Sequence, residues 1–358
     1  MRIAVLGGGN GAFAAAADFA LAGHEVRLYR RTEADADAHR AAGGAITLTD
    51  HAGTRDAHPA LITADLAQAV AGAELVLCPM PATAHVELAA PLGAVLRPGQ
   101  VVYLTPGSFG SMVLAGAAPP GVLFAETGTL PWLARKQGEY GVRVSGRGKR
   151  LPTGVYPQRR ASDALAVLSA AFPGAVEPCG DVLSGALMNA GPIIHPPLIT
   201  MNAGAIEHFP RWDIHREGTQ PAIRRVTTQL DAERIAVRDA LGYGKPHFPL
   251  ADHYAPEGDE WMYGRGAHGR LTNSGDWNER IVLQEHRYML EDTWIGLSLL
   301  CSVAALAGVA IPLAHAFLSI GGAVVGQDFA RTGRTLANLG LGGLDRTALQ
   351  ALLRHGQS

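Results

Sequence analysis

A chain of 358 residues is too long for one ordinary core, so two domains are expected. Hydrophobic residues make up 47% and charged residues only 17%, below the roughly 25% of typical soluble proteins, so much of the surface should be buried, part of it in a homodimer. A net charge of −2 supplies no basic face and so no electrostatic basis for nucleic-acid binding.

Met1-Arg2 leads directly into an apolar strand, Ile3–Leu6, so no signal peptide is expected. A glycine turn follows, then the alanine-rich helix Phe13–Leu21, which stops at Gly23, and a second strand, Glu25–Tyr29. Further strands are predicted at Leu75–Cys78, Val101–Leu104 and Val122–Ala125. Each ends in a turn signal: Pro79, Pro106-Gly107 and Gly128. This alternation predicts an α/β fold with a doubly wound parallel sheet of Rossmann type over residues 1–183. Beyond it, helical spacing dominates and predicts an all-helical domain over 184–358, with helices at Ala222–Leu241, closed by Gly242, and at His286–Leu306. Between them, His247–Trp277 is rich in Gly, Asp, His and Tyr and reads as a long loop.

From Thr293 to Gln327 there is no Asp, Glu, Lys or Arg, longer than the roughly 20 residues of a membrane span. Gly308, Pro312, His315 and Gly321-Gly322 interrupt the run, which predicts two helices of a buried core or subunit interface and no membrane partner. Three cysteines, Cys78, Cys179 and Cys301, lie far apart without the paired spacings of zinc sites or disulfide frameworks. No H-x-x-x-H or H-E-x-x-H spacing occurs, so no metal is expected, and a reducing, cytoplasmic location fits.

The turn reads Gly7-x-Gly9-x-x-Ala12, a dinucleotide fingerprint, here between a strand and a helix that leads to a second strand. The first glycine permits the tight turn, the second admits the pyrophosphate, and the small third residue lets helix and strand pack closely. Gly7, Gly9, Asn10, Gly11 and Ala12 are therefore the first cofactor candidates. An acidic residue at the end of the second strand would bind a ribose 2′-hydroxyl, whereas arginine accommodates a 2′-phosphate. Here Arg30-Arg31 stand at that place, so NADP is favoured, with NAD the alternative through Glu33. Pro81 and Glu126, beyond the strands Leu75–Cys78 and Val122–Ala125, complete the cofactor candidates.

Hydride transfer needs a proton carrier, and histidine is the usual choice because it ionises near neutrality. Of 14 histidines, His195 lies in an almost wholly apolar run, Ala190–Met201, and needs a hydrogen-bond partner if buried. Asp292 is the candidate: on a helix it shares a stripe with Ile295, Leu299 and Val303 and so points inward. Spacing alone leaves a purely structural pair equally open. Arg287 could clamp a substrate carboxylate, or it could pair with Glu291 four residues on.

These segments resemble the octopine/nopaline (opine) dehydrogenase family, particularly its bacterial members that make N-(1-carboxyethyl)-type secondary amine dicarboxylates. The likeness runs from Gly-Gly-Gly-Asn-Gly-Ala through Glu126-Thr127-Gly128-Thr129-Leu130-Pro131, Arg135, Met188-Asn189, His195-Pro196, Asn202 and Glu217-Gly218-Thr219. It continues through Asp231-Ala232-Glu233-Arg234, Arg287-Tyr288, Glu291-Asp292 and Gly333-Arg334-Thr335-Leu336. The resemblance implies a Rossmann domain followed by a helical one, and NAD(P)H-dependent reductive condensation of an amine, an amino acid in the family, with an α-keto acid through an imine. It places the catalytic histidine at His195, its aspartate partner at Asp292 and the substrate-carboxylate arginine at Arg287. Two other readings share parts of the pattern. A ketopantoate-reductase-like enzyme would need a catalytic lysine, and the chain has only Lys136, Lys149 and Lys245, none in the apolar segments. A non-catalytic NAD(P)-binding regulator would carry the His–Asp pair as structure.

Overall fold

The computed structural model describes residues 1–357, Arg270 by its backbone alone. The chain divides into two units: residues 1–80 with 84–186 and 354–356, and residues 187–353 with 81–83. The first unit runs to Ala186, because a short helix, Val182–Ala186, packs on its sheet. Its Gly185 lies so close that a Cβ would stand 2.5 Å from the Glu126 carbonyl oxygen.

Twelve strands build the first unit: β1 (Arg2–Leu6), β2 (Glu25–Tyr29), β3 (Ile46–Asp50), β4 (Gly53–Ala57), β5 (Leu61–Thr63), β6 (Leu75–Cys78), β7 (Val101–Leu104), β8 (Leu123–Thr127), β9 (Trp132–Gln137), β10 (Gly141–Arg147), β11 (Leu151–Tyr156) and β12 (Val176–Asp181). Eight of them form one sheet in the order β12-β11-β8-β7-β6-β1-β2-β5. From β5 to β8 all neighbours are parallel, and β11 runs antiparallel to β8. The strand order reverses between β1 and β6, the place where such sheets bind nucleotides. Every residue of β6 and β7 is buried, as expected of strands covered on both faces.

A second sheet, β4-β3-β10-β9, is absent from the sequence reading. Its strands are hard to see because β4 is mostly polar and exposed, and β3 alternates over only five residues. It explains helix α1 (Asn10–Leu21), in which Gly11–Ala17 and Phe19 are all buried. The helix packs on β1 and β2 on one side and on β3, β9 and β10 on the other, so it needs small apolar residues all round. Helix α2 (Glu33–Ala41) follows β2, its Asp35 amide capped by the Thr32 hydroxyl.

The second unit centres on α3 (Gly191–Met201), α4 (Pro221–Ala240), α5 (Tyr288–Ala307) and α6 (Pro312–Val325). By length and composition α5 could cross a membrane, but 72% of its apolar window is buried, as in the core helix of a folded unit. It packs on α3 and α6, and Gly296 allows a close approach: a Cβ there would meet Pro192 Cγ at 2.2 Å. The stretch 247–277 is not wholly irregular. It holds two short helices, Leu250–Tyr254 and Ala267–Asn273, too brief to show an apolar period.

That stretch is pinned to α4. The Asp231 carboxylate accepts from Arg234 Nε (2.6 Å) and from the Leu250 amide (2.7 Å). Arg234 also donates to the Leu187 and His247 carbonyls, both at 2.9 Å. Glu233 takes the amides of Leu313 and Ala314 at the start of α6 (2.8 and 2.9 Å). The shared Asp-Ala-Glu-Arg segment is therefore a structural knot. Asp231→Ala would strand the buried Arg234 charge, and a loss of about 3–5 kcal/mol in denaturant unfolding is expected. A loss below about 1 kcal/mol would mean that Arg234 does not depend on this carboxylate.

Candidate active site

In the first unit the glycine turn has the chemistry of an anion cradle. Gly7 sits at φ +124°, and beside Gly9 a Cβ would meet nothing within 4 Å. The first helical bond runs from the Phe13 amide to the Gly9 carbonyl (3.1 Å), leaving the amides of Asn10, Gly11 and Ala12 without helical acceptors. No side chain caps this end and no acidic residue occupies its first turn. It therefore fits a dinucleotide pyrophosphate. Gly11 is required for packing, since a Cβ would lie 2.7 Å from Leu130 Cδ1, and Ala12 faces Gly7.

Arg30 lies against this turn, its Nε 2.9 Å from where a Gly8 Cβ would be. The side chain is buried and its Nη1 has no hydrogen-bond partner, while Nη2 stands 3.9 Å from the half-exposed Asp35. Arg31 is exposed. Glu33, the acidic alternative for a ribose hydroxyl, is already bound to Arg40 at 2.7 Å. Glu126 is buried to 0% and spends both carboxylate oxygens on the amides of Phe109 (2.8 Å) and Ser111 (2.7 Å). It thereby braces a turn in which Ser108 and Phe109 adopt positive φ. Pro81 is exposed and belongs to the 81–83 segment of the second unit.

In the second unit the structure brings His195 and Asp292 together. His195 Nδ1 lies 2.7 Å from Asp292 Oδ2, and Nε2 has no hydrogen-bond partner among the described residues. Its side chain keeps 13% exposure. The ring stacks on Tyr288, centroids 3.6 Å apart and planes 8° apart, and the Tyr288 hydroxyl is held 2.9 Å from His215 Nε2. His215 in turn meets the Trp277 ring edge-on at 4.6 Å. Imidazole position and tilt are thus set by one hydrogen bond and one stacked ring.

Two local features build this geometry. Asp292 packs against Gly191 so tightly that a Cβ there would fall 2.1 Å from Asp292 Oδ1. And the first ten residues of α5, Tyr288–Leu297, form a π-helix with i→i+5 bonding, an uncommon form that often marks functional sites. Arg287, the residue before its first turn, stays near enough for its charge to act on Asp292. Ile295, Leu299 and Val303 are all buried, as their stripe predicted. Arg287 is exposed, lies over the Tyr288 ring at 5.4 Å, and forms no ion pair with Glu291.

Glu291 was weighed only as that ion-pair partner, and the structure gives it another contact. Its Oε1 accepts from the Ala82 amide (2.9 Å), while Arg334 Nη2 donates to the Ala82 carbonyl (2.8 Å). Burial and the neighbouring Asp292 push its carboxyl up to about 7. Burial also pushes Asp292 up to about 7, against the opposing charge of Arg287. His195 is held well below its usual range by burial and then by Arg287. Burial therefore favours the uncharged form of both members of the dyad.

Among the described residues no group of His, Cys, Asp and Glu has the arrangement of a metal site. Residues 178–325 match the family model for the alpha-helical domain of NAD/NADP octopine/nopaline dehydrogenase, and residues 2–103 match that for coenzyme F420-dependent NADP oxidoreductase. The chain is 29% identical to an opine dehydrogenase from Arthrobacter sp. (strain 1C), the match covering 97% of each chain. An octopine dehydrogenase solved with NADH and agmatine superposes with a TM-score of 0.73 at 22% identity, over 100% of this chain and 99% of that one. A yersinopine dehydrogenase with NADP+ bound gives 0.69 at 15% identity, over 99% and 97%.

Proposed function

We propose that the chain, which resembles the octopine/nopaline dehydrogenases, joins an amine to an α-keto acid with His195 as the proton carrier. It is an NAD(P)-dependent dehydrogenase of the opine type. The observation that carries the residue assignment is the 2.7 Å His195–Asp292 contact beside the unpaired, exposed Arg287.

In the reductive direction the amine nitrogen attacks the keto carbon and gives up a proton to His195 Nε2. The same nitrogen of the imidazole returns it to the former carbonyl oxygen, giving the carbinolamine, and then passes on a second proton taken up from solvent, so that the hydroxyl leaves as water and a protonated imine remains. A bound nicotinamide cofactor supplies the hydride that reduces this C=N bond. Asp292 stabilises the imidazolium through Nδ1 and holds the ring in place. Arg287 offers a fork of N–H donors to the keto-acid carboxylate, fixing the carbon for attack. Gly7, Gly9, Gly11 and Ala12 shape the cofactor turn, and Arg30 and Arg31 favour NADP over NAD.

The test is oxidation of NADPH, and of NADH in parallel, by purified protein with pyruvate and a pool of amino acids. Oxidation that requires both keto acid and amine is expected, faster with NADPH. Oxidation by keto acid alone would replace this reading with simple keto-acid reduction. We further place the enzyme in the cytoplasm as a homodimer. Sedimentation of the assayed protein at twice the chain mass is expected, and a monomer at micromolar concentration would remove the dimer.

A further inference from the structure

We propose that Lys136, on β9 of the second sheet, is a third cation of the cofactor site and binds the ribose 2′-phosphate together with Arg30. The inference rests on the NADP reading above and extends it to a residue outside the Rossmann strands.

Three observations converge. First, Lys136 is tied to the nucleotide turn itself: its amide donates to Asn10 Oδ1 at 2.9 Å, at the first residue of α1. Second, its ammonium and the Arg30 guanidinium share one platform. Lys136 Nζ lies 4.4 Å and Arg30 Cζ 5.3 Å from the centre of the Phe13 ring, one helical turn beyond Asn10. Third, this pair of like charges has no adequate counter-ion. Lys136 Nζ forms no hydrogen bond or ion pair among the described residues, the buried Arg30 Nη1 has no hydrogen-bond partner, and Arg30 Nη2 reaches the half-exposed Asp35 only at 3.9 Å.

The surroundings confirm that the cluster is held rather than collapsed. His39 stacks on Phe13 (5.6 Å, 7°) and on Tyr140 (4.3 Å, 9°), and its Nε2 is bound to the Ala45 carbonyl at 3.0 Å. Burial, then the charges of Arg30 and Lys136, lower its pKa, so it is neutral beside them. Burial and Arg30 likewise lower Lys136, with Glu139 and Asp35 opposing from further off. Two cations kept close against their repulsion, over a rigid aromatic wall and next to an anion cradle, call for a dianionic group. A phosphate monoester supplies it. The pyrophosphate is the other phosphate at hand, and it is common to NAD and NADP.

Cofactor titrations, followed by NADPH and NADH fluorescence on the full chain, separate these. K136M is expected to weaken NADPH binding roughly ten-fold and to leave NADH within about two-fold, with K136R restoring most of the loss. The dependence of NADPH affinity on salt should become shallower in K136M. Equal loss on both cofactors would assign Lys136 to the pyrophosphate and overturn the proposal, as would no loss on either. Melting temperatures of the variants guard against a folding defect, which K136R would share if the strand itself were at fault. If the wild type binds NADH more tightly and an Arg30→Gln/Arg31→Gln variant leaves that ratio unchanged, the NADP reading itself fails.

Discussion

Replacing His195 with alanine is expected to lower turnover by at least about 10²-fold while cofactor affinity stays within about two-fold. The size follows from the role: a proton must leave the attacking nitrogen and another must reach the departing hydroxyl, and Nε2 is the unpartnered nitrogen on the imidazole that Asp292 and Tyr288 hold in place. The cofactor turn lies in residues 7–12 of the other unit, so its amides are untouched by the substitution. The loss should fall on kcat more than on the KM for the keto acid, since Arg287, the proposed carboxylate clamp, is left in place. His195→Asn keeps a hydrogen-bonding group towards Asp292 but carries no proton at neutral pH, and it should be as slow as alanine. Near-normal turnover in either variant, measured with both substrates saturating, would take His195 out of the chemistry and leave the dyad as a structural pair.

The sequence made some of this site legible and concealed the rest for identifiable reasons. The strands β1, β6 and β7 are legible as apolar runs and β2, Glu-Val-Arg-Leu-Tyr, as an alternating one, each bounded by a turn residue, and their parallel pairing follows from the helices between them. The stripe beneath Asp292 was visible because its members are large and apolar. What stayed hidden depends on close approach or on an altered helical period. Gly191 and Gly296 look like ordinary glycines, yet they let the dyad's two helices meet, Gly191 against the Asp292 carboxylate and Gly296 against Pro192. The π-turn of α5 changes which residues share a face, and no propensity rule announces it. Glu291 stands at i+4 from Arg287, a spacing that favours an ion pair, whereas its carboxylate is taken by the Ala82 amide, a contact 209 residues away in sequence that no local rule announces. Lys136 carries no signal in the sequence, because the strand that places it, Trp132–Gln137, is half polar and mostly part-exposed.

Asp292→Asn should be the more informative substitution, because it is nearly isosteric in a site where Gly191 leaves no spare volume. Turnover should fall about 10²-fold or more, since the amide neither stabilises the imidazolium nor enforces the tautomer that leaves Nε2 free. Stability should move the other way. Burial raises the Asp292 carboxyl to about 7, above its unfolded value, so its favourable contribution is complete only in acid and is lost as pH rises through about 7. Above that pH the variant no longer buries this ionised carboxylate and is expected to unfold at equal or higher denaturant concentration than the wild type. The pH profile gives the sharper sign. Reduction needs a proton on the dyad, so wild-type reductive turnover should decline as pH rises through neutrality. In Asp292→Asn the imidazole is left with burial and the Arg287 charge, both of which lower its pKa, so the decline should shift to lower pH. Glu291 is raised to about 7 as well and lies next in the chain, so Glu291→Gln is the necessary comparison. If the neutral ionisation survives in Asp292→Asn and disappears in Glu291→Gln, the controlling proton belongs to the carboxylate that holds Ala82, and the dyad is not what sets the pH dependence of the reaction.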